Sequence, residues 1–265
     1  MFNMRNISRL ALIVMVPWLA ACGNENPAGP GGSAGGSVAL SLTIGSQASG
    51  SAFVSPGSQR AMGVVFSDGA NTVDISRVAL VLREVELELQ NDNSCDDTLP
   101  EAEDLCEKFE VGPILLELPL DGSVNQVLAI GNIPAGTYDE VEFNIHRPSR
   151  GSVEDNPFIA ANPDFEDVSI RVEGQFNGVA FTYTTDLMDN QRLGLVPALV
   201  ITDGVTTSTN VTLKTDLSTW FEAADGSLID PATANEGGPN ESWVDNQIKA
   251  SIDAFEDRNR DGTED

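Results

Sequence analysis

"VSIRVEGQFNGVAFTYTT", Val168 to Thr185, is the stretch whose reading decides the fold. Val168, Ile170, Val172 and Phe176 share one parity, and Val179, Phe181 and Tyr183 share the other, with Asn177-Gly178 between them. Period-two alternation is what a strand with one buried face requires, because successive side chains point to opposite sides of a sheet. Asn-Gly is the preferred pair for a two-residue type I′ turn, whose central residues both need positive φ. Such a loop pairs Phe176 with Val179, Gly174 with Phe181 and Val172 with Tyr183, so the apolar side chains share one face and Gly174 leaves room opposite a Phe. Turn chemistry and periodicity agree on a β-hairpin.

Alternation continues outward from this hairpin. It predicts further strands over 38–44, 73–82, 85–89, 109–118, 124–130, 138–145, 195–201 and 208–213. In "REVELELQ" Val85, Leu87 and Leu89 point one way and Glu84, Glu86 and Glu88 the other, whereas the preceding "VALVL" has the opposite parity. A bulge near Arg83 reconciles the two; a helix through Ile75, Val78, Leu82, Val85 and Leu89 also fits the apolar spacing. Many short strands separated by Gly and Pro turns make the expected fold mainly β, an antiparallel β-sandwich. Near the C-terminus the period changes. Val244, Ile248, Ile252 and Phe255 recur every three or four residues, with Ser242 and Asp245 spaced as a capping box and Pro239 upstream, which predicts one amphipathic helix.

The N-terminal stretch is an address. Arg5 and Arg9 precede an apolar run from Leu10 to Trp18, shorter than the roughly 20 residues a membrane-spanning helix needs, so it reads as a signal peptide. "LAAC", Leu19 to Cys22, resembles the lipobox of bacterial lipoproteins at all four positions. The resemblance implies cleavage before Cys22, a diacylglyceryl and palmitate-type anchor on its thiol, and, with Gly23 following, the outer membrane. The alternative is an ordinary secretory signal with an incidental cysteine. Gly23 to Ser37 is rich in Gly and Pro and reads as a tether. The expected organisation is a signal peptide over 1–21, a lipidated Cys22 and tether over 22–37, a β-sandwich domain over 38–240, either single or in two subdomains meeting near 150, and the C-terminal helix with an acidic tail over 241–265.

Charge narrows the partners. The 265 residues hold 14 Lys plus Arg against 41 Asp plus Glu, net −27. Residues 1–21 contain two Arg and no acid, so their removal takes the charge to −29. Phosphate backbones are bound by Lys and Arg that neutralise them, so nucleic acid is excluded as a partner. Divalent cations or a salty medium suit such a surface. With Cys22 acylated, Cys95 and Cys106 flank an acidic loop and are expected to form a disulfide in an oxidising compartment.

"IPAGTYDEVEFNIHRP", Ile133 to Pro148, resembles the turn and strand of bacterial surface modules with a transthyretin-like, or prealbumin-like, β-sandwich. With "VDISRVALVLREVELE" upstream it is similar to an uncharacterised domain of bacterial lipoproteins. The resemblance spans about residues 38–150, implies a β-sandwich and carries over no functional residue.

Candidate sites come from the residues themselves. Asp257, Asn259, Asp261 and Gly262 match D-x-[DN]-x-[DN]-G, the first half of a calcium loop, with Thr263 and Asp265 at the seventh and ninth positions. The bidentate Glu of the twelfth position has no counterpart; Asp225 or Asp230 could supply an oxygen, and a solvated acidic tail is the alternative. Seven acids between residues 92 and 107 form a second acidic run, read as solvated. His146, the only histidine, with Arg147 and Arg150 makes one basic cluster, either an anion contact or a set of ion pairs. A single His without a second base argues against Ser-His-Asp or Cys-His chemistry. The expected function is a lipid-anchored, calcium-stabilised, non-catalytic binding, adhesion or structural module of the cell envelope. The alternatives are a glycan-active hydrolase using a carboxylate pair and a ligand-binding accessory subunit of an uptake system; the partner is an extracellular or periplasmic protein or glycan.

Overall fold

The computed structural model describes residues 36–45, 63–90, 107–109, 112–202 and 208–264. The expected signal peptide, Cys22, the tether up to residue 35, the Cys95–Cys106 disulfide and Asp265 lie outside them, and Gly36 and Ser37, expected in the tether, already belong to the first strand. The strands are β1 (Gly36–Ile44), β2 (Val64–Ser67), β3 (Thr72–Leu89), β4 (Glu107–Phe109), β5 (Ile114–Glu117), β6 (Asn125–Ile133), β7 (Gly136–Ile145), β8 (Ile170–Phe176), β9 (Val179–Thr185), β10 (Asp189–Ile201), β11 (Ser208–Thr215) and β12 (Ile252–Glu256). Two helices accompany them, α1 (Asp155–Ala161) and α2 (Glu241–Ala250).

Strand β3 is the spine of the larger sheet. It pairs antiparallel with β2, β5 and β4 and with β8 and β7. At Val81 the amide donates to the Ser169 carbonyl at 2.8 Å and the carbonyl accepts from the His146 amide at 2.9 Å. Both groups of one strand residue point to the same side, so β8 and β7 lie end to end along one edge of the spine. Strand β9 adds to β8 and β10 to β7. The smaller sheet has the order β12-β11-β1-β6. Strands β1 and β11 run parallel, Leu40 beside Val211 and Leu42 beside Leu213, within a sandwich whose other pairs are antiparallel. Val38, Leu40, Leu42, Val211 and Leu213 of the small sheet share one apolar core with Val78, Leu80, Leu82, Val141, Phe143 and Tyr183 of the large one.

The hairpin forms in the predicted register: Phe176 opposite Val179, Gly174 opposite Phe181, Val172 opposite Tyr183. Asn177 and Gly178 have φ of 51° and 80°, as a type I′ turn demands. A Cβ at Gly174 would sit 2.1 Å from the Asp74 carbonyl oxygen and 3.0 Å from Phe181, so the missing side chain is required on both sides.

The bulge near Arg83 is present, centred on Glu84 at φ 51°, and it moves the buried set from Val78, Leu80 and Leu82 to Val85 and Leu87. The helix alternative over this stretch is overturned. Its apolar run is continuous because β3 is covered on both faces there: Ala79 and Val81 pack under Phe158 and Ile159 of α1 and Phe165. The single strand expected over 109–118 is two, β4 and β5, split around Gly112-Pro113, where proline cannot donate to a ladder.

The C-terminal helix is shorter than expected. It ends at Ala250, and Ile252 and Phe255 belong to β12, paired with β11. A spacing of three suits either element, and the otherwise open edge of β11 favours the strand. The capping box at Ser242 is not formed: Asn240 occupies the N-cap, and the Glu241 carboxylate accepts from the Gly237 amide at 2.6 Å. Asp245 instead accepts from the Thr185 hydroxyl at 2.9 Å and the Tyr183 hydroxyl at 3.3 Å, tying α2 to β9.

Candidate functional site

The outer face of β3, β7 and β10 carries a polar array in three cross-strand rows: Arg83, Asn144 and Asn190; Glu86, Glu142 and Arg192; Glu88, Glu140 and Gly194. The opposite faces of these strands hold Val85, Leu87, Val141 and Phe143 in the core, so register alone brings the polar side chains together. One carboxylate oxygen from each of Glu88, Glu140 and Glu142 lies within 4.8 Å of the others. Like charges so placed repel. Arg192 offsets part of this, 3.0 Å from Glu142 and 3.7 Å from Glu88, and Asn190 donates to the other oxygen of Glu142. Burial first, then the charge of Glu140, pushes the Glu88 carboxyl up to about 7, with Arg192 pulling the other way and a hydrogen bond to Glu142 adding to the rise.

Beside these rows lies a cavity of about 280 Å³, lined by Arg83, Glu84, Asn144, His146, Asp189 and Asn190, among others. The bulge sets Glu84 at its edge in a left-handed backbone conformation that costs a non-glycine residue about 1 kcal/mol. Its carboxylate accepts from Asn144 Nδ2 at 2.6 Å and pairs with Arg83 at 3.1 Å, and Arg83 also bonds Glu154. His146 Nε2 lies 2.8 Å from Asp155 Oδ1. Asp155 is buried, and although burial raises its pKa, the Ser149 amide, His146 and Arg83 together hold the carboxyl below its usual range.

The predicted basic cluster is thus distributed over separate carboxylates: His146 on Asp155, Arg147 on Asp186 at 2.8 Å and Arg150 on Glu166. The C-terminal turn is neither frayed nor open. Asp257 is fully buried; its Oδ1 accepts from the Asp261 amide at 3.0 Å, and its Oδ2 from the Gly262 amide at 3.0 Å and the Thr212 hydroxyl at 2.9 Å. Thr212 accepts in turn from Asn210, whose Oδ1 accepts from Ser41 at 2.6 Å. Asn259 and Asp261 stay at the surface, where the Asp261 carboxylate accepts from the Thr263 amide and hydroxyl. With Asp257 buried and both its oxygens engaged, the motif side chains left at the surface are Asn259 and Asp261. Asp225 spends its Oδ1 on Ser227 and Asp230 its Oδ1 on the Ala232 amide.

The sequence reading missed Glu84, Asn144, Asn190 and the glutamate group as a site. Alternation shows that the glutamates of "REVELELQ" and "YDEVEF" face outward; their meeting depends on the β3·β7 register, which no local signal carries. Among the described residues no helix is long and apolar enough to cross a membrane. In comparisons with known proteins, no family model, no curated protein and no solved structure matches the chain.

Proposed function

We propose that this chain is an exported, lipid-anchored β-sandwich of the cell envelope that acts as a non-catalytic binding module, its recognition surface being the outer face of β3, β7 and β10. The observation that carries the binding role is the cavity at the Glu84 bulge, where a strained residue and polar side chains from three strands converge. Strain held by surrounding structure is characteristic of functional sites, and a concave site with a few placed polar groups is the usual form of a ligand pocket. The glutamates beside it stand next to one another on a single sheet surface. A glycosidase pair flanks its bond from separate positions about 5 to 9 Å apart, so this arrangement supports binding over hydrolysis.

The anchor is supported by the lipobox-like "LAAC" and the tether that follows. Two or three acyl chains hold a protein stably at a membrane where one does not. Calcium at the rim of the C-terminal turn belongs to the same proposal, with the weak affinity, about 0.1 to 1 mM, of extracellular modules. Cell fractionation of the wild type and Cys22→Ser tests the address. The wild type should sediment with membranes and the variant should be released; a wild type found free in the soluble fraction would overturn it.

A further inference from the structure

We propose that the cavity at the Glu84 bulge binds a small organic amine through its ammonium group, which deepens the binding role proposed above and rests on it. The inference follows from how three lining side chains spend their donors. Asn144 gives its amide N–H to Glu84, Asn190 gives its own to Glu142, and His146 Nε2 faces the Asp155 carboxylate. A carboxylate accepts and does not donate when ionised, so each contact settles which atom of the amide or ring is the donor. Asn144 Oδ1 and Asn190 Oδ1, and His146 Nδ1 in the neutral ring, are left as acceptors with no hydrogen bond among the described residues, and each Asn amide keeps one further N–H.

A ligand for three acceptors must bring donors. An ammonium group carries three N–H donors and no acceptor. The surroundings are net negative: Glu84 and Asp189 line the cavity with Arg83, and the Glu88, Glu140 and Glu142 group continues along the same strands. Arg83 and Lys249 are already engaged by Glu84, Glu154 and Asp189. Size decides between an organic cation and a bare ion. The cavity's 280 Å³ is roughly nine waters' worth of space at about 30 Å³ each, far more than one ion fills, and it sits at the small end of ligand pockets. Met188, 62% exposed, stands at the cavity and offers its thioether to the alkyl part of such an amine.

The test is NMR titration of the full chain, labelled at the methionine methyls, with n-butylammonium chloride, and with n-butanol, calcium chloride and zinc chloride as comparators. The Met188 methyl should shift saturably with the amine and not with butanol. Asn190→Ala should weaken binding about 10-fold, the effect of losing one hydrogen bond to a charged group. With backbone amides labelled as well, the Asp189 and Asn190 amides should shift with the amine, and Met188→Trp, a substitution at an exposed position, should block the cavity and abolish those amide shifts, which keeps the test valid if Asn190→Ala fails to fold. Equal saturation by butanol, displacement of the amine by either metal, or no saturation at tens of millimolar amine would each overturn the assignment. The envelope address is read separately from Cys22→Ser fractionation, so the two proposals can fail independently.

Discussion

Replacing Glu88 by Gln should stabilise the protein at pH 8 and leave it nearly unchanged at pH 5. The folded state raises the Glu88 carboxyl from its ordinary 4.5 to about 7. A raised acid contributes stability that is fully present below about pH 4.5 and is lost as pH rises through about 7. That displacement corresponds to roughly 3 kcal/mol at ~1.4 kcal/mol per tenfold change. The side chain remains 19% exposed beside Arg192, and solvent screening brings the expected effect to about 1–2 kcal/mol. Gln keeps a donor for Glu142 and cannot ionise, so Glu88→Gln should lie above the wild type by that amount at pH 8. At roughly 2–4 °C per kcal/mol the difference is a few degrees in Tm. Urea unfolding at pH 5, 6.5 and 8 measures it. A variant no more stable than the wild type at pH 8, or a gap that does not grow between pH 5 and 8, would refute the raised Glu88 carboxyl and the burial and repulsion assigned to it.

Asp257→Ala should cost about 3–4 kcal/mol, because the Asp261 and Gly262 amides and the Thr212 hydroxyl all lose their acceptor, whereas Asp261→Ala should change stability by about 0.5 kcal/mol in the absence of calcium; chemical denaturation separates the two. Millimolar calcium should raise the Tm of the wild type and not of Asp261→Asn, and a flat calorimetric titration of the wild type would remove the metal from the proposal. Gly174→Ala should cost at least about 2 kcal/mol, since the added methyl meets the Asp74 backbone at 2.1 Å; a thermal melt within a degree of wild type would contradict the hairpin packing.

Legibility in the sequence tracked how local the determining physics was. The β8–β9 hairpin depends on two turn residues and an alternation within eighteen positions, and it was readable residue by residue. The bulge at Glu84 was readable because parity must change somewhere between Leu82 and Val85. The α1 cover was not: Ala79 and Val81 are buried by Phe158, Ile159 and Phe165, and nothing in "VALVL" says which partner covers its second face. Ile252 and Phe255 misled because an interval of three residues serves a helix face and also a strand buried on both sides. The candidate site was the least readable part, since Asn144 and Asn190 meet Arg83 only through two independent strand registers.

The seam joining Ser41, Asn210, Thr212 and Asp257 has a consequence for biogenesis. Strand β1 finds its parallel partner only after residue 208 has been made, and the carboxylate that completes their polar layer arrives with residue 257. A chain emerging from the ribosome can pair β1 with β6 once residue 133 has been made, but the other edge of β1 stays open until nearly all of the chain has followed. Late closure of this kind leaves the small sheet two strands short until the far end of the chain joins it.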